Sequence, residues 1–146
     1  MLLITFPFIL VLTVIVHYQF LSNMAVIFET KWSQSTKLVL IICGLFIAHI
    51  MEIIVYAMVY YHSDYMLDMG EAKESFQQWP DALYFSFVAY SSLGAGELSL
   101  PQPLMLLYGL EAINGLLLIA WSASFSLLAM NRVHFCESCK TDAEES

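Results

Sequence analysis

The chain is predicted to be an all-α membrane protein, with three transmembrane helices and one short re-entrant helix that turns back through a loop. Three observations lead there. Of its 146 residues, 60% are hydrophobic and the mean hydropathy is +0.72, whereas soluble domains are roughly half apolar. Three apolar runs, at about 1–21, 38–61 and 104–130, reach the ~20 residues needed to cross a bilayer. A fourth apolar stretch, residues 82–93, is too short to cross. Backbone that enters a membrane without crossing is tolerated where protein or water surrounds it, so this stretch is re-entrant.

The first run lacks the basic leader and the small-x-small cleavage site of a signal peptide, and is expected to remain as a helix. His17 falls near its second end, where an interfacial position suits it. Charge sets the orientation. Lys31 and Lys37 belong to the 22–37 loop, and Arg132 and Lys140 follow the third run. The 62–80 loop carries Asp64, Asp68, Glu71 and Glu74 against Lys73 alone. Basic residues flank the cytoplasmic ends of spans. This puts the 22–37 loop and the C-terminus in the cytoplasm, with the N-terminus and the 62–80 loop outside. A net charge of −8 argues against a nucleic-acid partner. Membrane lipid is the expected surrounding. The chain divides into 1–36 (first helix and cytoplasmic loop), 37–131 (second helix to third) and 132–146 (cytoplasmic tail, with a frayed acidic end from residue 141).

In the second run His49 and Glu52 are three residues apart and share a face. Glu111 and Asn114 do the same in the third run. An ionisable group within the bilayer costs about 2.5–3.5 kcal/mol on insertion scales and must face protein or water. His49, Glu52 and Glu111 are therefore expected to form one hydrogen-bonded cluster behind the re-entrant loop. A structural role is the plainer reading, and pH sensing by His49 the sharper one. Cys43 is expected to be buried and inert.

Trp79-Pro80-Asp81 reads as the start of the re-entrant helix. Proline is tolerated in a first turn, and Asp81 favours the positive end of the helix dipole. The helix is expected to end near Tyr90, its negative end turned towards a cation. Ser91-Ser92-Leu93-Gly94-Ala95-Gly96-Glu97 follows. Gly94 and Gly96 open backbone angles closed to other residues, and the alternation suits a strip of carbonyl oxygens all facing one way. Read alone, the same glycines make a tight turn between two helices.

Layout and loop together resemble the pore module of the potassium channel superfamily, and most closely the small bacterial two-pore-domain-type ion channel proteins with one pore loop per chain. The loop is similar to the filter pattern Thr-Thr-Val-Gly-Tyr-Gly-Asp. Ser91 and Ser92 stand at the hydroxyl positions and Leu93 at the valine. Gly94 and Gly96 stand at the two glycines, Ala95 at the tyrosine and Glu97 at the aspartate. The resemblance implies a selectivity filter made of Ser91, Ser92, Leu93, Gly94, Ala95 and Gly96. Carbonyl rings there replace the hydration shell of an ion. One chain supplies one strip and a closed ring needs four, so a homotetramer is implied, in a bacterial inner membrane. Alanine removes the aromatic buttress of the family filter, and a looser filter separates potassium from sodium less well. Glu97 is an acidic ring at the outer mouth, a solvated loop acid, or a carboxylate hydrogen-bonded behind the filter.

In the third run Asn114 and Gly115 mark an inner-helix hinge of the kind this superfamily uses, although plain packing explains them equally. Ser122, Ala123, Ser124 and Ser126 are small enough for helices to approach closely. The tail carries His134, Cys136 and Cys139, a weak metal candidate because structural zinc takes four ligands. Solvated thiols are the plainer reading. There is no arginine-rich voltage-sensing helix, no enzyme signature and no implied cofactor beyond permeant cations, potassium first among them. The leading expectation is a tetrameric potassium-conducting channel. Beside it stand a weakly selective monovalent or divalent cation channel and a non-conducting membrane sensor or accessory subunit.

Overall fold

A computed structural model describes residues 2–67, 78–94 and 102–144, with side chains for 6–62, 78–94 and 104–132. Four helices follow in order: α1 (Leu2–Ala25), α2 (Gln34–Leu67), α3 (Trp79–Tyr90) and α4 (Gln102–Glu144). A 3-10 turn, Val26–Glu29, joins α1 towards α2. There is no strand among the described residues. Phe6–Glu29, Gln34–His62 and Leu104–Arg132 are long and apolar enough to cross a membrane. The 12 residues of α3 rise about 18 Å, well short of the ~30 Å hydrocarbon core. The chain is an all-α integral membrane protein with one short helix between its spans.

The spans run longer than their apolar runs. Before α2, the Ser33 hydroxyl accepts from the Thr36 N–H at 3.3 Å, a cap for amides that no earlier turn satisfies. At the other terminus α4 passes position 131 unbroken and ends at Glu144, so the tail expected to fray from residue 141 is helical up to Glu144. No proline or glycine stands between Gly115 and Glu144 to stop it.

Each helix buries one stripe. In α1 it is Phe6, Ile9, Thr13, His17 and Leu21; in α4 it is Leu104, Leu107, Glu111, Asn114, Leu118 and Ser122. These are i, i+3 and i+4 spacings, so each stripe occupies one face. The stripes divide into layers. Where α3 begins, Phe6, Ile9, Tyr56, Tyr60, Ala82, Phe85, Leu104 and Leu107 form an apolar core. Near the 3-10 turn, Leu21, Ile41, Leu45 and Ala129 form a second. Polar side chains fill the space between. Lipid tails are as apolar as leucine, so helices in a bilayer gain little from apolar burial alone, and interhelical hydrogen bonds help fix which faces meet.

Cys43 is exposed, contrary to expectation. It lies off the α2 stripe of Ile41, Leu45 and Ala48, beside the equally exposed Ile42, Phe46 and Ile47. Apolar composition marks a membrane helix on all sides, so it does not reveal which side meets protein. His17 is likewise not interfacial: it is fully buried in the polar layer.

Candidate functional site

The site is built around α3, which packs against α2 and α4. Its start is fixed locally. The Asp81 carboxylate accepts from the Gln78 N–H at 3.1 Å, proline lies in the first turn, and the Trp79 ring meets Tyr61 edge-on at 5.8 Å. Midway, Ser86 Oγ lies 2.9 Å from the Ile53 carbonyl of α2 and 2.5 Å from Glu111 Oε1 of α4. That single hydroxyl holds the short helix between two spans.

The end of α3 is a left-handed cap. The Leu93 N–H donates to the Val88 carbonyl at 3.2 Å and the Ser92 N–H to the Ala89 carbonyl at 3.0 Å. This pair of bonds defines a Schellman termination, whose left-handed position normally falls to glycine. Here Ser92 holds it, with φ 57°, and Gly94 follows at φ 92°. Ser92 is the only described non-glycine residue with positive φ, and such residues mark local strain at functional loops. Ser91, Ser92, Leu93 and Gly94 are exposed. Leu93 is 81% exposed, uncovered by the described residues. Ala95, Gly96 and Glu97 lie outside the described residues.

Behind this turn, Tyr90 is buried against Glu52. The Tyr90 hydroxyl donates to Glu52 Oε2. With that proton committed, the phenol oxygen accepts from His49 Nδ1 at 2.8 Å. His49 Nδ1 is also 3.4 Å from Glu52 Oε2. The other carboxylate oxygen pairs with His17 Nδ1 at 2.8 Å, and His17 Nε2 is 3.2 Å from Ser122 Oγ. One buried carboxylate thus ties α1, α2 and α3 together beside the turn, and His17 carries the link on to α4.

Glu111 stands apart from this cluster. The Tyr60 hydroxyl donates to its Oε2 at 2.6 Å, and Ser86 meets its Oε1. Asn114 makes a third set, its Nδ2 donating to Thr13 Oγ1 at 2.9 Å and to the Tyr56 hydroxyl at 3.1 Å. The structure brings His49 and Glu52 together and places Glu111 on Tyr60 and Ser86 instead. Equal depth in two helices is not contact, and Glu111 faces the middle of α3 while Glu52 faces its end.

Gly115 is buried and sits within an unbroken helix. A Cβ there would run into the Tyr90 carbonyl. Close approach of two backbones accounts for the glycine in this structure. Of the small residues after it, Ser122 is buried on His17, whereas Ala123 and Ser124 face outward. The side chains of His134, Cys136 and Cys139 lie outside the described residues, as do those of Asp64, Asp68, Glu71 and Glu74.

Sequence reasoning missed His17, Thr13, Tyr56, Tyr60, Ser86 and Tyr90. For two of them a signal existed. Thr13 and His17 are four apart in an otherwise apolar span, and an ionisable group inside a membrane is a site candidate by default. The tyrosines gave no such signal, because aromatic residues are common in membrane helices.

A short helix that enters between two spans and ends in an exposed glycine turn is the pore module of a channel. A family model described as ion channel matches residues 48–130, more than half of the chain, and the chain belongs to that family, with the pore module of the potassium channel superfamily. No curated protein and no solved structure matches the chain. Helix α1 precedes the matched region, yet its His17 and Thr13 are built into the buried polar layer.

Proposed function

We propose that four copies of the chain enclose one pore and that potassium passes through a filter lined by Ser91, Ser92, Leu93, Gly94, Ala95 and Gly96. The exposed turn after Tyr90 carries this reading. Ser92 and Gly94, on either side of Leu93, both take positive φ, a backbone course that no regular helix or strand follows. Hard carbonyl and hydroxyl oxygens suit alkali cations. The negative end of α3 points at the same place. A fourfold ring would cover Leu93, which is exposed among the described residues.

Orientation follows from charge. Lys37 Nζ donates to the Phe28 carbonyl at 3.1 Å, and the Arg132 guanidinium lies 5.2 Å from the Phe28 ring centroid. Two basic groups thus gather at the 3-10 turn. By the positive-inside rule this end faces the cytoplasm. The N-terminus is then outside and the C-terminus inside.

Reconstituted protein should pass potassium down its gradient, and Gly94→Val should abolish that flux while a tetrameric mass is retained. A branched side chain disfavours the φ of 92° found at this position. Unchanged flux in that variant would place the ion path elsewhere, and absence of flux from an intact tetramer would favour an accessory role. A weakly selective cation channel is the second reading, supported by alanine and glutamate at positions 95 and 97. It requires comparable potassium and sodium flux, raised towards potassium by Ala95→Tyr. A mouth ring at Glu97 requires Glu97→Gln to lower current more in dilute salt, since the Debye length shrinks from about 30 Å at 0.01 M to about 3 Å at 1 M.

A further inference from the structure

We propose that His17, His49 and Glu52 form a binding site for a divalent transition-metal cation of the zinc class. One ring nitrogen from each histidine and one oxygen of Glu52 lie within 4.8 Å of one another. Glu52 Oε1 is 2.8 Å from His17 Nδ1, and Oε2 is 3.4 Å from His49 Nδ1. Tetrahedral zinc with bonds of about 2.0–2.2 Å sets its ligand atoms about 3.3–3.5 Å apart. Side-chain shifts of about an ångström bring the three groups around one ion.

The donor chemistry selects the metal class. Two imidazoles with one carboxylate are a zinc donor set that leaves a fourth position open. Nitrogen donors favour zinc, cobalt, nickel and copper over calcium and magnesium, which take oxygen. The Tyr90 hydroxyl, bonded to Glu52 and 2.8 Å from His49 Nδ1, lies beside this donor set. Metal-bound histidines commonly anchor their second ring nitrogen. His17 does so, with Nε2 at 3.2 Å from Ser122 Oγ, which turns Nδ1 towards the carboxylate.

A plain ion pair explains only part of this arrangement. One histidine neutralises one carboxylate, yet two converge on Glu52 from different helices. Side chains of His17 and Glu52 are 0% exposed and that of His49 is 18% exposed, so His49 is the open edge of the site. A bound cation links α1 directly to α2 in the pore module.

Cobalt binding tests the site without reference to ion flux. The full chain carries Cys136→Ser and Cys139→Ser, so that the tail thiols contribute nothing. Titration with cobalt alone is expected to give a stoichiometric complex with the intense visible bands of a tetrahedral nitrogen and oxygen centre. Zinc should bleach it, and calcium or magnesium at equal concentration should not. His17→Gln, His49→Gln and Glu52→Gln should each weaken binding by about tenfold or more, and Ser122→Ala by about tenfold. Helical circular dichroism and the mass of the complex establish that each variant is assembled. His49→Gln changes the least buried ligand and keeps the test intact if the other two variants misfold. Absence of the bands in the double cysteine variant overturns the proposal, and so does a spectrum that His49→Gln leaves unchanged.

Discussion

Glu52 and Glu111 are both fully buried glutamates in membrane-crossing helices, but their surroundings differ in kind. Glu52 meets two imidazoles and one phenol, drawn from three helices. Glu111 meets one phenol and one hydroxyl. The first set contains groups that carry charge or hold a metal; the second offers only neutral donors. The first also borders the turn that leaves α3, while the second grips α3 at its middle. A carboxylate in a bilayer takes its role from its partners, and the same residue type serves here as a junction in one place and a clamp in the other.

Truncating each carboxylate measures the difference. Glu52→Ala leaves His17, His49 and Tyr90 without their shared acceptor, and is expected to cost about 3–5 kcal/mol, as for one partner removed from a buried ion pair. Glu111→Ala removes the acceptor that Tyr60 and Ser86 share, Ser86 keeping the Ile53 carbonyl, and should cost about 1–3 kcal/mol. Denaturation of the purified protein in detergent micelles compares them. Equal losses would mean that the charge difference between the two sites has no weight.

His17→Leu sharpens the comparison, because His17 precedes the region matched by the family. It should cost about 1–3 kcal/mol by leaving a buried Glu52 oxygen unpaired. Tyr60→Phe, its counterpart at Glu111, should cost about 0.6 kcal/mol, the average for a hydrogen bond between membrane helices, and at most about 1.7 kcal/mol. If His17→Leu is neutral in the same unfolding assay, α1 is an accessory to the pore module and not a part of it.

Two glycines of α4 carry the comparison over to backbone packing. Gly115→Ala places a methyl group against the Tyr90 carbonyl and should destabilise by about 1–3 kcal/mol, as overpacking does. Gly109→Ala meets nothing within 4 Å and should stabilise by up to about 1 kcal/mol through helix propensity. A loss at both positions would point to a shared need for helix bending, and would support a hinge role for Gly115.

Much of the fold was legible in the residues. Spans follow from apolar length, because a bilayer demands about 20 such residues. Pro80 and Asp81 mark the start of α3, and Ser91-Ser92 its end, because helix termini are decided by local bonds. Helix ends beyond the apolar runs were less legible: nothing in 131–144 breaks a helix, and polarity alone does not stop one. The site was legible in part. His49 and Glu52 sit on one turn of one helix, so their meeting is a matter of local geometry. Cys43 was misjudged because all sides of a membrane helix look alike in sequence.

By itself, the sequence determined three spans, a short helix between the second and third, and the glycine turn that follows it. Each depends on neighbouring residues and on the thickness of the bilayer. Tertiary structure alone decided that His17 reaches Glu52, 35 positions away, that Glu111 turns to Tyr60 and Ser86, and that Gly115 lies under the Tyr90 carbonyl. Those contacts depend on how far each helix is shifted and rotated against the others. A stripe of side chains names the face that a helix buries, but the depth at which two faces meet is set by the packing of all four helices together.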